Sequence, residues 1–276
     1  MVRKPFFWLS ILIILILAFV TYLAINREEF KPSDAINAVP HDAALIIKSS
    51  ELIRIIDERV KNPLWNELLG FPSIVKIEKQ IGILDSITRT DSEIRNLLEE
   101  QELVFSLHPA GKLRYEYIFY MKLGDRNDEK RITDFIGRHV VPAGQLTERK
   151  YELKRIYEAN FMNGTSRNFA FTVSNGLFIL SHSSILVEQA IRQIDLDSPL
   201  SHQPGFNRVE ATAGKNVDAN LYLNLRAFPQ LIAQLLNDRI RPDIQNTQDL
   251  GQWAALDINL KNHYERYYYK ILSYYY

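Results

Sequence analysis

The sequence predicts an α+β fold: an N-terminal transmembrane helix, then mainly antiparallel sheets covered by helices, arranged as a tandem duplication whose second copy is incomplete. Three observations predict it. Phe6 to Ile25 is a run of 20 residues without a charge. Beyond residue 40, segments of helical period alternate with segments of period two, and Asn-Gly pairs punctuate the latter. Finally, the pattern that begins at Asp42 recurs from Asp218 onward after a shift of 176 residues.

At about 1.5 Å per residue, Phe6–Ile25 spans roughly 30 Å, the thickness of bilayer hydrocarbon. Fourteen of its residues are Leu, Ile, Phe or Val. They favour insertion by on the order of −4 to −8 kcal/mol, and a soluble core helix rarely stays apolar on every face. A cleaved signal peptide has an apolar stretch of about 7 to 15 residues followed by small residues. Here the run is longer, and bulky Tyr22 stands two residues before Ala24. The segment therefore reads as an uncleaved anchor carried by Phe6, Trp8, Leu12, Leu15, Phe19 and Ile25. Arg3, Lys4 and the α-amine precede it, whereas Arg27 and Lys31 follow it among Glu28 and Glu29. That asymmetry puts the N-terminus inside. The expected location is the inner (cytoplasmic) membrane, single-pass, with the C-terminal bulk extracytoplasmic, in the periplasm of a Gram-negative source.

The remaining elements follow in order. Residues 26–40 are polar, are broken by Pro32 and Pro40, and read as a tether. Ala43–Lys48 reads as a buried strand, and Leu52, Ile55 and Ile56 mark one helix face. Pro63 opens a short helix, and helical period continues over 74–98. Leu103, Phe105 and Leu107 then alternate, His108–Gly111 reads as a turn, and Tyr115, Tyr117, Phe119 and Met121 alternate in turn. This pattern predicts a hairpin with one wet face. Residues 125–140 form an amphipathic helix on Ile132, Phe135 and Ile136, and Tyr151–Phe161 reads as a strand. Asn163-Gly164 and Asn175-Gly176 suit type I′ turns, and Ser183 or Ser184 caps a helix that buries Val187, Ala190, Ile191 and Ile194.

Under the 176-residue shift, Leu45 falls on Leu221, Ile47 on Leu223, and Leu52, Ile55 and Ile56 on Phe228, Leu231 and Ile232. Leu103, Phe105 and Leu107 correspond to Ala254, Leu256 and Ile258. The expected organisation is a stub and anchor (1–25), a tether (26–40), a first α+β repeat (41–197) and a partial second repeat (198–276). The first copy continues with a helix and a meander, whereas the second ends in Tyr264–Tyr276. A truncated reading frame is the expectation, with a purposeful aromatic tail as the alternative.

Val39–Ile47 (VPHDAALII), Asn62–Trp65, Ser174–Ser183 and Gln252–Lys261 resemble a bacterial family of membrane-anchored envelope proteins of unknown function. The resemblance covers most of residues 36–262 and rests on strand and turn signatures. It implies location and fold, and longer members agree with truncation here. It implies no chemistry.

Composition narrows the chemistry. With 46% hydrophobic and 24% charged residues the chain has enough apolar side chains for a core. Lys+Arg and Asp+Glu balance at 33 each, so no basic field attracts nucleic acid. The absence of Cys removes thiol catalysis, thiolate metal sites, disulfides and an N-terminal lipid-modified cysteine. Nucleophile-elbow, phosphate-loop, dinucleotide and H-E-x-x-H motifs are absent. His41, His108, His139, His182, His202 and His263 are scattered, read as surface or turn residues, and suggest no metal; no cofactor is expected. Asp42 and Asp218 occupy equivalent places and, with Asp257, are the candidates for paired-carboxylate hydrolysis of envelope glycan or lipid. The plainer reading puts each in a turn, bonded to backbone amides. Asn163-Gly164-Thr165 is formally a glycosylation acceptor, and Glu148–Lys150, Glu152, Lys154 and Arg155 read as a solvated strand face. Tyr115, Tyr117 and Phe119 are the candidate surface for a lipid or polypeptide, against core packing as the alternative. The leading expectation is a non-enzymatic anchored domain binding an envelope protein or lipid. A carboxylate hydrolase and a structural spacer are the alternatives.

Overall fold

The alternating segments become strands, and all ten described strands join one sheet. The computed structural model describes residues 32–61, 63–70, 75, 78, 81–82, 85–86, 89–111, 115–140, 144–161, 168–196, 199–228, 251–259 and 272–273, all within the compact unit Pro32–Tyr276. The strands are β1 (Leu45–Ser49), β2 (Leu103–Pro109), β3 (Tyr115–Lys122), β4 (Gly144–Tyr151), β5 (Lys154–Phe161), β6 (Phe169–Ser174), β7 (Leu177–Ser181), β8 (Ala219–Asn224), β9 (Trp253–Ile258) and β10 (Leu272–Ser273). They form one 10-stranded sheet in the order β10-β9-β8-β1-β2-β3-β7-β6-β5-β4, antiparallel at every pairing. The helices are α1 (Leu52–Glu58), α2 (Pro63–Leu68), α3 (Ser92–Glu100), α4 (Arg126–Phe135), α5 (Ser184–Asp195) and α6 (Pro204–Thr212).

Local chemistry explains the punctuation. Asn175 and Gly176 have φ of 50° and 70° and close the β6–β7 hairpin, as a type I′ turn requires. Asp91 caps α3 by accepting from the amides of Glu93 and Ile94, and Asp125 caps α4 on Asn127 and Asp128. Ser183 precedes α5 but makes no side-chain cap bond; its own amide donates instead to Ser181 Oγ at 3.0 Å.

Residues directly opposite in an antiparallel pair share a face. One row therefore runs Ala255–Tyr222–Ile46–Ser106–Ile118–Ser181–Ala170 across the sheet. This face carries the main core. The 3₁₀ turn Ala35–Ala38 packs on β2 and β3, α5 on β3, β5, β6 and β7, and α6 on β9 and β10. Ile36, Val39, Ile46, Tyr120, Ile179, Leu186, Phe206 and Tyr222 are buried together there. The opposite face carries a second row, Leu256–Leu221–Ile47–Phe105–Phe119–Leu180–Phe171–Tyr157.

Several expectations are corrected. Among the described residues no helix is long and apolar enough to cross a membrane; the Phe6–Ile25 run, with Phe6, Trp8, Leu12, Leu15, Phe19 and Ile25, lies outside the described residues. The fold is not two α+β repeats with separate sheets. β8 pairs with β1, and β9 pairs with β8, so residues 219–224 and 253–258 extend the sheet of residues 41–197. The wet face expected of the β2–β3 hairpin is misplaced: the side assigned to solvent holds fully buried Val104, Ser106, His108, Ile118 and Tyr120, and the side of Phe105, Tyr117 and Phe119 is the half-buried one. Part of the expected tether is core, since Ala35, Ala38 and Val39 are fully buried and Ile36 is 1% exposed. The Asn163-Gly164 turn and Tyr264–Ile271 lie outside the described residues.

Ile36→Ala is expected to lower the unfolding free energy by about 2–4 kcal/mol, as for other buried Ile truncations. A denaturant midpoint shift within the range of a surface substitution, about ±0.5 kcal/mol, would place residues 35–39 in a solvated tether after all.

Candidate functional site

Two places on the sheet carry chemistry. The first is a chain of polar side chains through the main core. Ser106 and His108 alternate on β2 and so share its buried face. His108 Nε2 lies 2.8 Å from Ser106 Oγ, and Nδ1 lies 2.7 Å from Asp42 Oδ1. Ser106 Oγ in turn lies 3.4 Å from the Tyr120 hydroxyl on β3. Asp42 sits in the turn that leads from the 3₁₀ segment into β1, which brings it over the end of β2. Burial pushes the Tyr120 hydroxyl far above the ordinary tyrosine value, so it stays protonated.

Serine, histidine and aspartate at these distances have the hydrogen-bond order of an activated nucleophile. Access decides against that role. Ser106, His108 and Tyr120 are each fully buried, so no substrate carbonyl can approach Ser106 Oγ in this state. The chain satisfies polar groups that would otherwise cost about 1–3 kcal/mol each if left unpaired. Its outer end is Asp42, whose side chain is 53% exposed.

Asp42 lines a groove of about 540 Å³ together with Pro40, His41, Glu152, Gln189, Arg192, Gln193, Asp195 and Leu196. Gln193 and His41 meet at 3.0 Å, and Arg192 lies over the Tyr151 ring at 6.0 Å. The Oε1 atom of Gln189 is buried with no hydrogen-bond partner among the described residues. Burial pushes the Asp42 carboxyl upward, but the hydrogen bond and charge of His108 outweigh it and hold the pKa below its ordinary 3.8.

The structure separates the carboxylates that the sequence grouped. Asp42 lies beyond the Leu45 end of β1, whereas Asp218 lies beyond the Ser49 end, where Ser49 Oγ donates to its carbonyl at 2.7 Å. The five residues of β1 put them at least about 14 Å apart at roughly 3.4 Å per residue. Paired-carboxylate mechanisms work within about 10 Å. Asp218 is occupied by Arg54, and Asp257 accepts from the amide of Gly214 at 3.0 Å and from Asn220 Nδ2 at 2.9 Å. A Cβ at position 214 would lie 2.7 Å from Val217 Cγ1 and 2.8 Å from Asp257 Oδ2, so any larger residue there has to displace those side chains. Among the described residues no group of three His, Cys, Asp or Glu could hold a metal ion. His139 bonds Asp91 at 3.0 Å, and His182 bonds the Asn168 carbonyl at 2.7 Å.

The second place is the other face of the sheet. Tyr115, Tyr117 and Phe119 do share a side of β3, and all three are half-buried. Tyr117 stacks on Phe105 at 5.5 Å and meets His182 edge-on at 5.5 Å. Tyr157 stacks on Phe171 at 5.2 Å, and Phe171 lies 6.0 Å from Phe178. Aromatic side chains thus form a band across β2, β3, β7, β6 and β5.

No family model, no curated protein and no solved structure matches this chain. The chemistry of these two places therefore stands on geometry alone.

Sequence reading missed Ser106 and His108 as a pair. The available signal was their i, i+2 spacing, which puts both on one side of any strand. A turn reading that runs from His108 to Gly111 hides that spacing, whereas the structure places His108 inside β2.

Because the folded-state pKa of Asp42 lies below the unfolded value, its stabilising contribution is complete above about 3.8 and is lost as the pH falls through the folded value. Wild type is expected to resist urea better than Asp42→Asn at pH 7, with the gap closing below pH 3.8; a gap independent of pH would break the link to His108. A fluorophosphonate probe is expected to leave Ser106 of the native full chain unlabelled. Labelling abolished by Ser106→Ala would instead make the buried chain a working nucleophile.

Proposed function

We propose that this chain is a non-enzymatic, membrane-anchored extracytoplasmic domain of the bacterial cell envelope, and that it binds a lipid or a protein partner through the aromatic face of its sheet. The single observation that carries the reading is the row Leu256–Leu221–Ile47–Phe105–Phe119–Leu180–Phe171–Tyr157. Of these residues only Phe171 is fully withdrawn from solvent. An antiparallel sheet whose second face meets water ordinarily turns polar residues outward, whereas seven residues of this row are apolar or aromatic and only half-buried, and apolar side chains left in partial contact with water are what a partner would cover. Placement at the inner membrane rests on the charge-free run Phe6–Ile25, and placement among envelope proteins rests on the resemblance carried by Val39–Ile47 and Gln252–Lys261. Formal charges balance to zero, so no net positive charge favours a nucleic-acid partner.

The carboxylate-hydrolase reading has less support, because Asp42 and Asp218 stand at opposite ends of β1 and Asp218 and Asp257 are each engaged. A bare spacer leaves the aromatic row without a use.

The test is photo-cross-linking in the full chain, with a benzophenone amino acid in place of Tyr117 and irradiation in intact cells. A lipid-sized mass increment on the chain identifies lipid, and a discrete higher-mass conjugate identifies a protein. No adduct at Tyr117, nor at Phe119 in a second variant, overturns the reading.

A further inference from the structure

We propose that the free edge of β4 is the docking surface for a second copy of this chain, which pairs antiparallel with it and carries the sheet through a twofold axis centred on Arg149. β4 is the last strand of the sheet, and among the described residues nothing pairs with its outer side. Natural sheets blunt such edges with short strands, proline or bulges, and with charge. β4 has none of the first three. It is 8 residues long, has no proline, and pairs with β5 at every position from Gly144 to Tyr151.

It does carry charge, and the order of signs is self-complementary. Glu148 and Lys150 are exposed on one face. Lys150 lies directly opposite Arg155 within its own hairpin, a like-charge pair that opposes folding. Arg155 is answered by Glu148 at 3.5 Å, whereas Lys150 has no ion-pair partner among the described residues. Opposed residues share a face, so the twofold must fall on a residue. Centred on Arg149, it sets Glu148 of each copy against Lys150 of the other, and both lysines gain the missing counter-charge. Arg149 meets its own copy there, but its guanidinium is already held by Glu158 at 2.8 Å and Glu188 at 2.6 Å. Centring on Glu148 would oppose glutamate to glutamate, and centring on Thr147 would set Leu146 against Glu148. Only the Arg149 frame pairs every exposed charge of the strand.

The test uses the full chain in detergent, with its mass read by native mass spectrometry and light scattering over a dilution series. Wild type is expected to be a dimer. Glu148→Lys and Lys150→Glu, each placing like charges opposite one another twice, are expected to weaken association by about tenfold or more, and the double variant E148K/K150E to restore it. Restoration also shows that the substituted chain folds. The chain has no Cys, so register can be read separately. Mixed E148C and K150C chains are expected to form a disulfide faster than either alone, because directly opposed Cβ atoms lie about 4.5–5.5 Å apart and diagonal ones about 7–8 Å. A wild type that stays monomeric, a dimer indifferent to both single substitutions, or a double variant that stays weak overturns the proposal.

Discussion

The described fold depends on β1. This strand of 5 residues is hydrogen-bonded on both flanks, to residues 103–107 of β2 and to residues 220–223 of β8. It joins segments distant in the chain, so closing the sheet costs loop entropy before any packing is gained. The gain comes from both of its faces. Ile46 is fully buried between Tyr222 and Ser106, under the core that includes the 3₁₀ turn, α5 and α6. Leu45 and Ile47 join the opposite, aromatic side. Both sides of this stretch are apolar, fully buried at Ala43, Ala44 and Ile46 and half-buried at Leu45 and Ile47, which is why Ala43–Ile47 reads as a continuous apolar run.

The full burial of the inner face sets the terms for the polar chain that crosses it. Serine, histidine and tyrosine at zero exposure are tolerable only when every donor and acceptor finds a partner. Here the chain ends on a carboxylate that keeps about half its surface in solvent, so the charge is not buried outright. The arrangement ties the turn before β1 to β2 and β3 by directional bonds rather than by shape alone. It also fixes one wall of the groove lined by His41, Asp42 and Gln193.

Much of the element pattern was legible. The strand at Ala43–Lys48, the Pro63 helix, the Asp125 start of α4, the Asn175-Gly176 hairpin and the inward set Val187, Ala190 and Ile191 all follow from period, caps and turn chemistry. Other features were not. The β4–β5 hairpin turns at Glu152 with φ of 52° and carries no Gly or Asn, so it gives no turn signal. The inward side of β2 and β3 was misassigned because both sides are rich in apolar residues, and period two cannot rank two such faces. Asp42 and Asp218 were grouped by equivalence in sequence, but antiparallel pairing of β1 with β8 sends equivalent positions to opposite ends.

What the sequence determined by itself is local: which residues alternate, where helices begin, which turns need positive φ, and that no thiol or familiar nucleophile motif is present. These follow from backbone sterics and from periods set within a few residues. What only the tertiary structure decided is which faces are deepest, that one sheet rather than two is built, that residues 35–39 enter the core, and that Asp42, Ser106, His108 and Tyr120 meet. Each of these depends on strand order and register, which are set by pairings between residues far apart in the chain. No local period encodes them.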